Sequence, residues 1–207
     1  MGLHINHASA ALPLVLLLLA IVFIALTATS MITNETTTTE EDIQQYVDDA
    51  IKEFSSYLKI QHVYGQYTQQ KPYQLSKIAI QTTPLFHQEI NLSNWVIQIQ
   101  TNNHMNIFSY NYTVTSLNSS SVFSHTHWNI LKSPYFGVLV IQDKDDSLLR
   151  YHSFSEPNDI AFLTLSVEDL LIRKGDYVTL YLSPGTGIEK TISFSAPLPT
   201  KQVATLW

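Results

Sequence analysis

Apolar and polar residues follow three different patterns along this chain, and the first is an apolar run near its start. From residue 8 to residue 28 only Ser9 and Thr27 are polar, and no Asp, Glu, Lys or Arg occurs before Glu35. At about 1.5 Å per residue, such a run makes a helix of roughly 31 Å, which is long enough to cross a bilayer core. The pattern therefore predicts a long apolar helix with Ser9 as its N-cap.

This run is either a cleaved secretory signal or a helix that the protein keeps. A signal peptide has an apolar region of about 7–15 residues behind a basic start, and it ends at small residues where a peptidase cuts. The run here is longer, and "MGLHINH" before it contains no Lys or Arg, although "ALTATS" offers small residues for a cut. Its length and its uncharged flank favour a retained helix.

A Thr-rich stretch, residues 31–39, separates the apolar run from a second helical pattern. Because Thr has poor helix propensity, this stretch is predicted as a hinge. After it, apolar side chains recur at steps of three and four, which predicts an amphipathic helix with one apolar stripe. The stripe consists of Ile43, Val47, Ala50, Phe54 and Leu58. Gly65 follows as a reasonable stop for this helix.

Beyond Gly65 the period changes to two, which is the period of half-buried strands. "NWVIQIQT" places Trp95, Ile97 and Ile99 on one face. Further strands are predicted in "SKIAIQTT", "NIFSYNYTVT", "YFGVLVIQ", "SLLRYHSF", "IAFLTLSV", "DYVTLYLS" and "EKTISFSA". Turn signals such as "LNSSS", "DKDD", "EPND" and "SPGTG" separate them. Short strands at this spacing predict an antiparallel β-sandwich.

These patterns together predict an α+β protein in three parts. Residues 1–31 are predicted as the apolar transmembrane or core helix, residues 32–64 as the hinge and amphipathic helix, and residues 65–207 as an Ig-like β-sandwich. The formal net charge is −6 and the acids concentrate in residues 35–53, so a nucleic-acid partner is not expected. The chain has no Cys, which excludes thiol catalysis and thiolate metal sites.

Two short motifs could in principle bind a metal ion. "SHTHW" places His125 and His127 on one face if the segment is extended, but no further ligands follow at a zinc-like spacing, so a loop-edge pair is expected. "DKDDS" offers Asp143, Asp145 and Asp146, but it lacks the Gly and Glu of a helix–loop–helix calcium site. Calcium at these acids stays open, and an exposed β-turn between two strands is the expected role.

No motif for a nucleophile, a phosphate loop or a zinc protease is present in the sequence, so neither an enzyme nor a cofactor is expected. Four N-x-S/T sequons begin at Asn34, Asn91, Asn111 and Asn118. Of these, Asn91, Asn111 and Asn118 are predicted as possible N-glycosylation sites, because a glycan needs an outward-facing acceptor.

The order of these parts resembles the archaellin superfamily, the subunits of the archaeal motility filament and their relatives. "LSKIAIQTTPLFHQEINLSNWVIQIQ" is similar to the first strand of the family, its short turn and its next strand. "FGVLVIQDKDDSLLRYHSF" is similar to its acidic turn between two strands. "LLIRKGDYVTLYLSPGTGIEKTISFSAPLP" and the final "VATLW" are similar to its closing hairpin and last strand. The resemblance covers nearly the whole chain.

The resemblance implies a filament subunit whose apolar helix lies in the membrane before assembly and then packs against other copies. The residues expected to pack in the filament core are Leu12, Leu16, Leu19, Phe23 and Leu26. Two alternatives remain. The chain also resembles the membrane-anchored stator relatives, whose sandwich binds the S-layer, and "MGLHINHASA" is similar to their uncharged starts. An adhesive pilus-like subunit or exported binding module is the second. All three interpretations place the sandwich outside the cell, either on the filament or on the outer side of the membrane.

The first prediction separates a polymer core from a lipid anchor by the substitution Leu16→Ala. A close-packed helix bundle loses about 2–5 kcal/mol per buried Leu→Ala change, whereas lipid accommodates a smaller apolar side chain. We expect Leu16→Ala to abolish filaments if the helix forms a polymer core and to be tolerated if the helix is an anchor. Leu16→Asp is the control, because a charged side chain blocks assembly whether the helix is a polymer core or a lipid anchor. Normal filaments of the Leu16→Ala protein in electron micrographs would remove the main support for a polymer core.

Overall fold

The computed structural model describes residues 43–47, 58–69, 71–118, 121–185 and 187–207. The chain divides into two compact units, residues 1–50 and residues 51–207. In the first unit, residues 43–47 form helix α1. The predicted apolar helix of residues 8–28 lies outside the described residues. The described part of the chain contains no candidate for a membrane-spanning helix.

The second unit is built from short strands. They are β1 (Leu58–Tyr67), β2 (Leu75–Pro84), β3 (Ile90–Asn91), β4 (Val96–Thr101), β5 (Met105–Ser116), β6 (Tyr135–Gln142), β7 (Ser153–Phe154), β8 (Ile160–Ser166), β9 (Tyr177–Ser183), β10 (Lys190–Ser195) and β11 (Val203–Thr205). Its short helices are α2 (His127–Ile130) and α3 (Ser147–Tyr151), and 3₁₀ turns occupy Leu92–Asn94, Val122–Ser124 and Glu168–Leu170.

The period-two pattern explains why these segments form strands. In β4, Ile97 and Ile99 are fully buried while Gln100 is exposed, because successive side chains point to opposite faces. The same alternation buries Val178 and Leu180 in β9. The strands predicted in seven segments, at β2, β4, β5, β6, β8, β9 and β10, are confirmed, and so is the final strand, β11.

Nine of the strands form one sheet in the order β10-β9-β4-β5-β6-β8-β2-β1-β11, and β3 pairs with β7. Neighbouring strands are antiparallel except for β5 and β6, which run parallel. The prediction of an antiparallel sandwich is therefore wrong at this pair. Parallel neighbours need a crossover connection, and residues 117–134 supply it.

The sheet curls until its two edges approach each other. Residues 196–202 alone connect β10 at one edge to β11 at the other. Eight chain steps of about 3.6 Å span at most about 29 Å, whereas eight strand spacings of about 4.8 Å would hold the edges of a flat sheet about 38 Å apart. The Tyr67 hydroxyl, near one edge, donates to the Pro197 carbonyl oxygen beyond the other at 2.9 Å. Curling wraps the sheet around one apolar core, which contains both Val63 and Ile192, while β10 and β11 remain its two edge strands.

The crossover, residues 117–134, connects β5 to β6, and its residues 121–134 cover the outer face of β6, β8 and β2. A second apolar cluster lies beneath it, formed by Ala79, Phe123, Trp128, Leu131, Leu139 and Phe162. The Trp128 indole N–H donates to the Val122 carbonyl oxygen at 2.8 Å, and the Lys77 ammonium lies 5.0 Å from the centre of the Trp128 ring. The crossover is therefore held by its own core and not only by its ends.

His127 fixes the crossover to the sheet. Its Nε2 lies 2.8 Å from the Thr164 hydroxyl and its Nδ1 lies 3.3 Å from the Thr115 hydroxyl. A Cβ at Gly137 would approach the ring to 2.8 Å, so only glycine allows this contact. Burial, together with the nearby His125, lowers the pKa of His127 to about 4. The ring is therefore neutral at physiological pH.

Two elements differ from the sequence prediction. Leu58 and Gly65 lie in strand β1, so the amphipathic helix does not extend to Leu58 and Gly65 is not its stop. The sandwich begins at Leu58 and not at residue 65. Strand β1 pairs with β2 along nearly its whole length. These tertiary contacts make the segment a strand and override its local preference for a helix. The predicted strand "SLLRYHSF" is mostly helix α3, and only Ser153–Phe154 is a strand.

The depressed pKa of His127 predicts a loss of stability in acid. The unfolded chain binds this proton near pH 6.5 and the folded chain only near pH 4, so the stabilisation is complete above pH 6.5 and falls as the pH decreases. We expect a loss of about 2 kcal/mol in the free energy of unfolding by pH 5. Urea unfolding at pH 7, 6 and 5 measures it. His127→Gln is the control, and an unchanged pH slope in that variant would contradict the assignment to His127.

Candidate functional site

Three carboxylates converge where the turn after β6 meets the turn before β8. One oxygen each of Asp143, Asp145 and Asp159 lies within 4.8 Å of the others, and this is the one such group among the described residues that could hold a metal ion. Asp145 is exposed, Asp143 is half-buried and Asp159 is completely buried. The group thus runs from solvent into the protein.

Hydrogen bonds to the start of α3 position the first two acids. The Ser147 amide donates to Asp143 Oδ1 at 3.0 Å and to Asp145 Oδ1 at 3.1 Å, and the Leu149 amide donates to Asp143 Oδ2 at 3.1 Å. The expected β-turn between two strands is wrong, because these carboxylates satisfy the free amides at the start of a helix. The Ser155 hydroxyl also donates to Asp145 Oδ2, at 2.6 Å.

Asp159 brings an unpaired oxygen to the group. Its Oδ2 accepts the amides of Ser155 at 2.9 Å and Glu156 at 3.0 Å, whereas its Oδ1 is buried and has no hydrogen-bond partner. Leaving a buried acceptor unpaired costs about 1–3 kcal/mol. A cation among the three carboxylates would remove this cost.

The pKa values of two of these acids shift in opposite directions. Burial raises the pKa of Asp143, and the neighbouring carboxylates Asp145 and Asp159 add to this rise. The hydroxyls of Ser155 and Ser147 hold the pKa of Asp145 well below its usual range. The set consists only of hard oxygen ligands, which are the ligands that Ca²⁺ takes in proteins.

The sequence identified only part of this group. The motif "DKDDS" points to Asp143, Asp145 and Asp146, but Asp146 forms an ion pair with Arg150 at 3.0 Å instead. The sequence does not identify Asp159, because "EPND" has the composition of a turn and lies far along the chain from "DKDDS". A turn acid gives no sign in the sequence that it will be buried beside other acids.

His125 and His127 are not a metal-binding pair in the structure. Both ring nitrogens of His127 contact threonine hydroxyls, and the His127 amide donates to Nδ1 of His125 at 3.1 Å. The expectation of a loop-edge pair is wrong for His127, which is 1% exposed. A buried histidine between two threonines supports the fold.

The sequons at β3 and β5 have similar geometry. The Asn91 Oδ1 accepts the Ser93 amide at 2.8 Å, and the Asn111 Oδ1 accepts the Thr113 amide at 3.0 Å. Each asparagine thus turns back onto the third residue of its own sequon. Asn118 is exposed, and the Ser116 hydroxyl donates to its Oδ1 at 3.1 Å. Glycan attachment at these three sites stays a prediction, and Asn34 lies outside the described residues.

Helix α1 exposes apolar side chains to solvent. Ile43 and Val47, two members of the predicted stripe, are 56% and 46% exposed, and Tyr46 is 77% exposed. An apolar helical stripe of this kind is expected to be covered. The other predicted packing residues, Leu12, Leu16, Leu19, Phe23 and Leu26, lie outside the described residues.

Comparison with known proteins agrees with the architecture. Flagellin B3 of Methanocaldococcus jannaschii is 23% identical over 189 residues, which cover 88% of this chain and 87% of that protein. The crystal structure of the flagellin FlaB1 from the same organism matches with a TM-score of 0.64 at 27% identity, over 72% of this chain and 95% of that one. The archaeal flagellum of Methanospirillum hungatei strain JF1 matches with a TM-score of 0.60 at 11% identity, over 95% of this chain and 98% of that one.

The curled sheet and its covering crossover place this chain among β-sandwich proteins. Within that class, the model of the archaeal-type flagellin family matches residues 10–194. The chain therefore belongs to the archaeal-type flagellin family, and the resemblance stated from its motifs is confirmed.

The cluster of Asp143, Asp145 and Asp159 predicts that the thermal stability of the protein depends on calcium. Binding only to the folded state adds about 2.7 kcal/mol at a hundredfold excess over Kd, and each kcal/mol raises the melting temperature by about 2–4 °C in a chain of this size. We expect the protein to melt several degrees higher in millimolar CaCl₂ than in EDTA. Asp145→Asn should lose this response, and Asp146→Asn should keep it. Equal melting temperatures of the wild type in CaCl₂ and EDTA would contradict the site.

Proposed function

We propose that this protein is a structural subunit of the archaeal motility filament that polymerises through its N-terminal apolar helix and carries its β-sandwich on the outside. The observation that carries the proposal is the single family model that matches residues 10–194. This match includes most of the apolar run as well as most of the sandwich. One family pattern therefore accounts for both parts of the chain.

The apolar run explains how such a subunit assembles. A helix that is apolar all round must be surrounded by lipid or by other helices. It therefore lies in the membrane before assembly and among copies of itself afterwards. Packing of identical helices in a head-to-tail fashion gives an open helical polymer, because the contact does not close on itself.

Helix α1 supports the same assembly. Ile43, Tyr46 and Val47 are exposed in the single chain. Burying apolar surface contributes about 25 cal/mol per Å², so covering this helix in a polymer stabilises the assembly. The role is structural and not enzymatic, and the filament lies outside the cell. In this setting, glycans at Asn91, Asn111 or Asn118 would face solvent.

The prediction is that filaments on cells of the source organism contain this chain. Mass spectrometry of sheared, purified filaments should detect its peptides, and deletion of its gene should remove or shorten the filaments. Restoring the wild-type gene is the control.

A different result would support one of the alternatives. Recovery of the chain only in the membrane fraction, with filaments of normal composition, would favour the stator interpretation with an S-layer partner. Recovery as a free exported monomer would favour a binding module.

A further inference from the structure

On one half of the outer sheet surface, no outward strand position is occupied by a charged residue. This uncharged face consists of the outward-pointing residues of four neighbouring strands. In β10, β9 and β5 they are the odd-numbered residues of 191–195, 177–183 and 105–109. In β4 they are the even-numbered residues of 96–100. No Asp, Glu, Lys, Arg or His occurs at any of them. An outer sheet face normally carries charges, so an uncharged one is unusual for a surface in free solvent.

Large side chains are exposed on the uncharged face. Met105 is 59% exposed, Ile107 is 50% exposed and Tyr177 is 53% exposed. Polar groups on this face have protein partners: Thr179 and Ser193 share a hydrogen bond of 3.1 Å. The Ser183 hydroxyl, at one end of the face, donates to the Glu189 carboxylate at 2.5 Å. Such groups need little from water, so covering this face carries a small desolvation cost.

One half of the outer sheet surface is covered by another segment of the chain, and the other half is not covered by any described segment. Residues 121–134 of the crossover cover β6, β8 and β2 with the cluster around Trp128. Over β10, β9 and β4, no described segment packs in a comparable way. Ile107 and Ser193 are therefore open in the single chain, whereas Leu139 is buried.

The uncharged face ends at an unprotected edge. Strand β10 is the last strand of the sheet and pairs with β9 on one side only, as far as the described residues show. Residues 191–195 contain no charge and no proline. Proteins usually protect such edges with charged residues, prolines or bulges, because unpaired backbone groups attract another chain. This edge has none of these over its central residues, which indicates that something covers it.

Charge and area together indicate a second copy as the occupant. Residues 54–207 contain ten acids and ten bases, so this part of the chain is formally neutral and its copies do not repel one another. Four strands about 4.8 Å apart and about 20 Å long give a footprint of roughly 400 Å². A stable dimer needs about 800 Å² from each partner. The face is thus too small to hold two free subunits together, but it suffices between subunits already linked through another contact.

We propose that the uncharged face and the β10 edge form the lateral contact between the β-sandwich of one subunit and a neighbouring copy of this chain in the filament. This inference rests on the proposed function, since the polymer supplies the proximity. It assigns a second contact to the subunit, in addition to the apolar helix. The crossover side of the sandwich is then left toward solvent.

Thiol accessibility tests the contact, because the chain has no Cys. Ile107→Cys and Ser193→Cys each place one thiol on the uncharged face of the full-length chain. Asn129→Cys is the matched control, since it places an exposed thiol on the crossover. Purified filaments of each variant are treated with a maleimide, and each labelling rate is divided by the rate of the same variant in denaturant.

We expect the normalised rates at positions 107 and 193 to be at least tenfold lower than at position 129. If both face variants fail to assemble while the control assembles, the contact is also supported. Filaments in which all three thiols react equally would overturn the lateral contact and leave the proposed function standing. If even the wild-type chain enters no filament, the proposed function fails and this inference fails with it.

Discussion

The curling of one sheet around a single apolar core is the constraint on which the rest of this structure depends. The connection of residues 196–202 is too short to join the edges of a flat sheet, so the nine strands curl around a common apolar core. The curl decides which face of each strand is inside. It also makes the outer face of the sheet the surface that contacts the crossover, the solvent or a neighbouring subunit.

The parallel pair β5–β6 divides that outer surface. A parallel pair requires a long connection, and in this chain the connection lies back over β6, β8 and β2, with Trp128 in its core and His127 bonded to the sheet. The half of the sheet beyond β5 receives no such cover from the described residues. This asymmetry suits a subunit of a polymer, because the chain itself covers one half of the outer sheet face and leaves the other half available for a neighbouring subunit.

Most strands could be predicted from the sequence, and the parts that could not share a physical cause. Alternation identified β4 and β9 because it reflects a local choice between two faces. The patterns of strand β1 and helix α3 each fit more than one kind of element. Pairing with β2 decides the state of β1, and hydrogen bonds to the Asp143 carboxylate decide that of α3. The sequence predicts two members of the candidate cation group, Asp143 and Asp145, but not Asp159, which joins them from a distant turn.

The sequence by itself determined the family, the long apolar run, the strand segments and the absence of thiol chemistry, because each depends on composition or on short-range spacing. Only the tertiary structure decided the curl of the sheet, the parallel pair, the burial of His127 and the meeting of Asp145 with Asp159. These features join residues that lie far apart in the chain. Their geometry is set by packing and by chain length between strands, which no local pattern records.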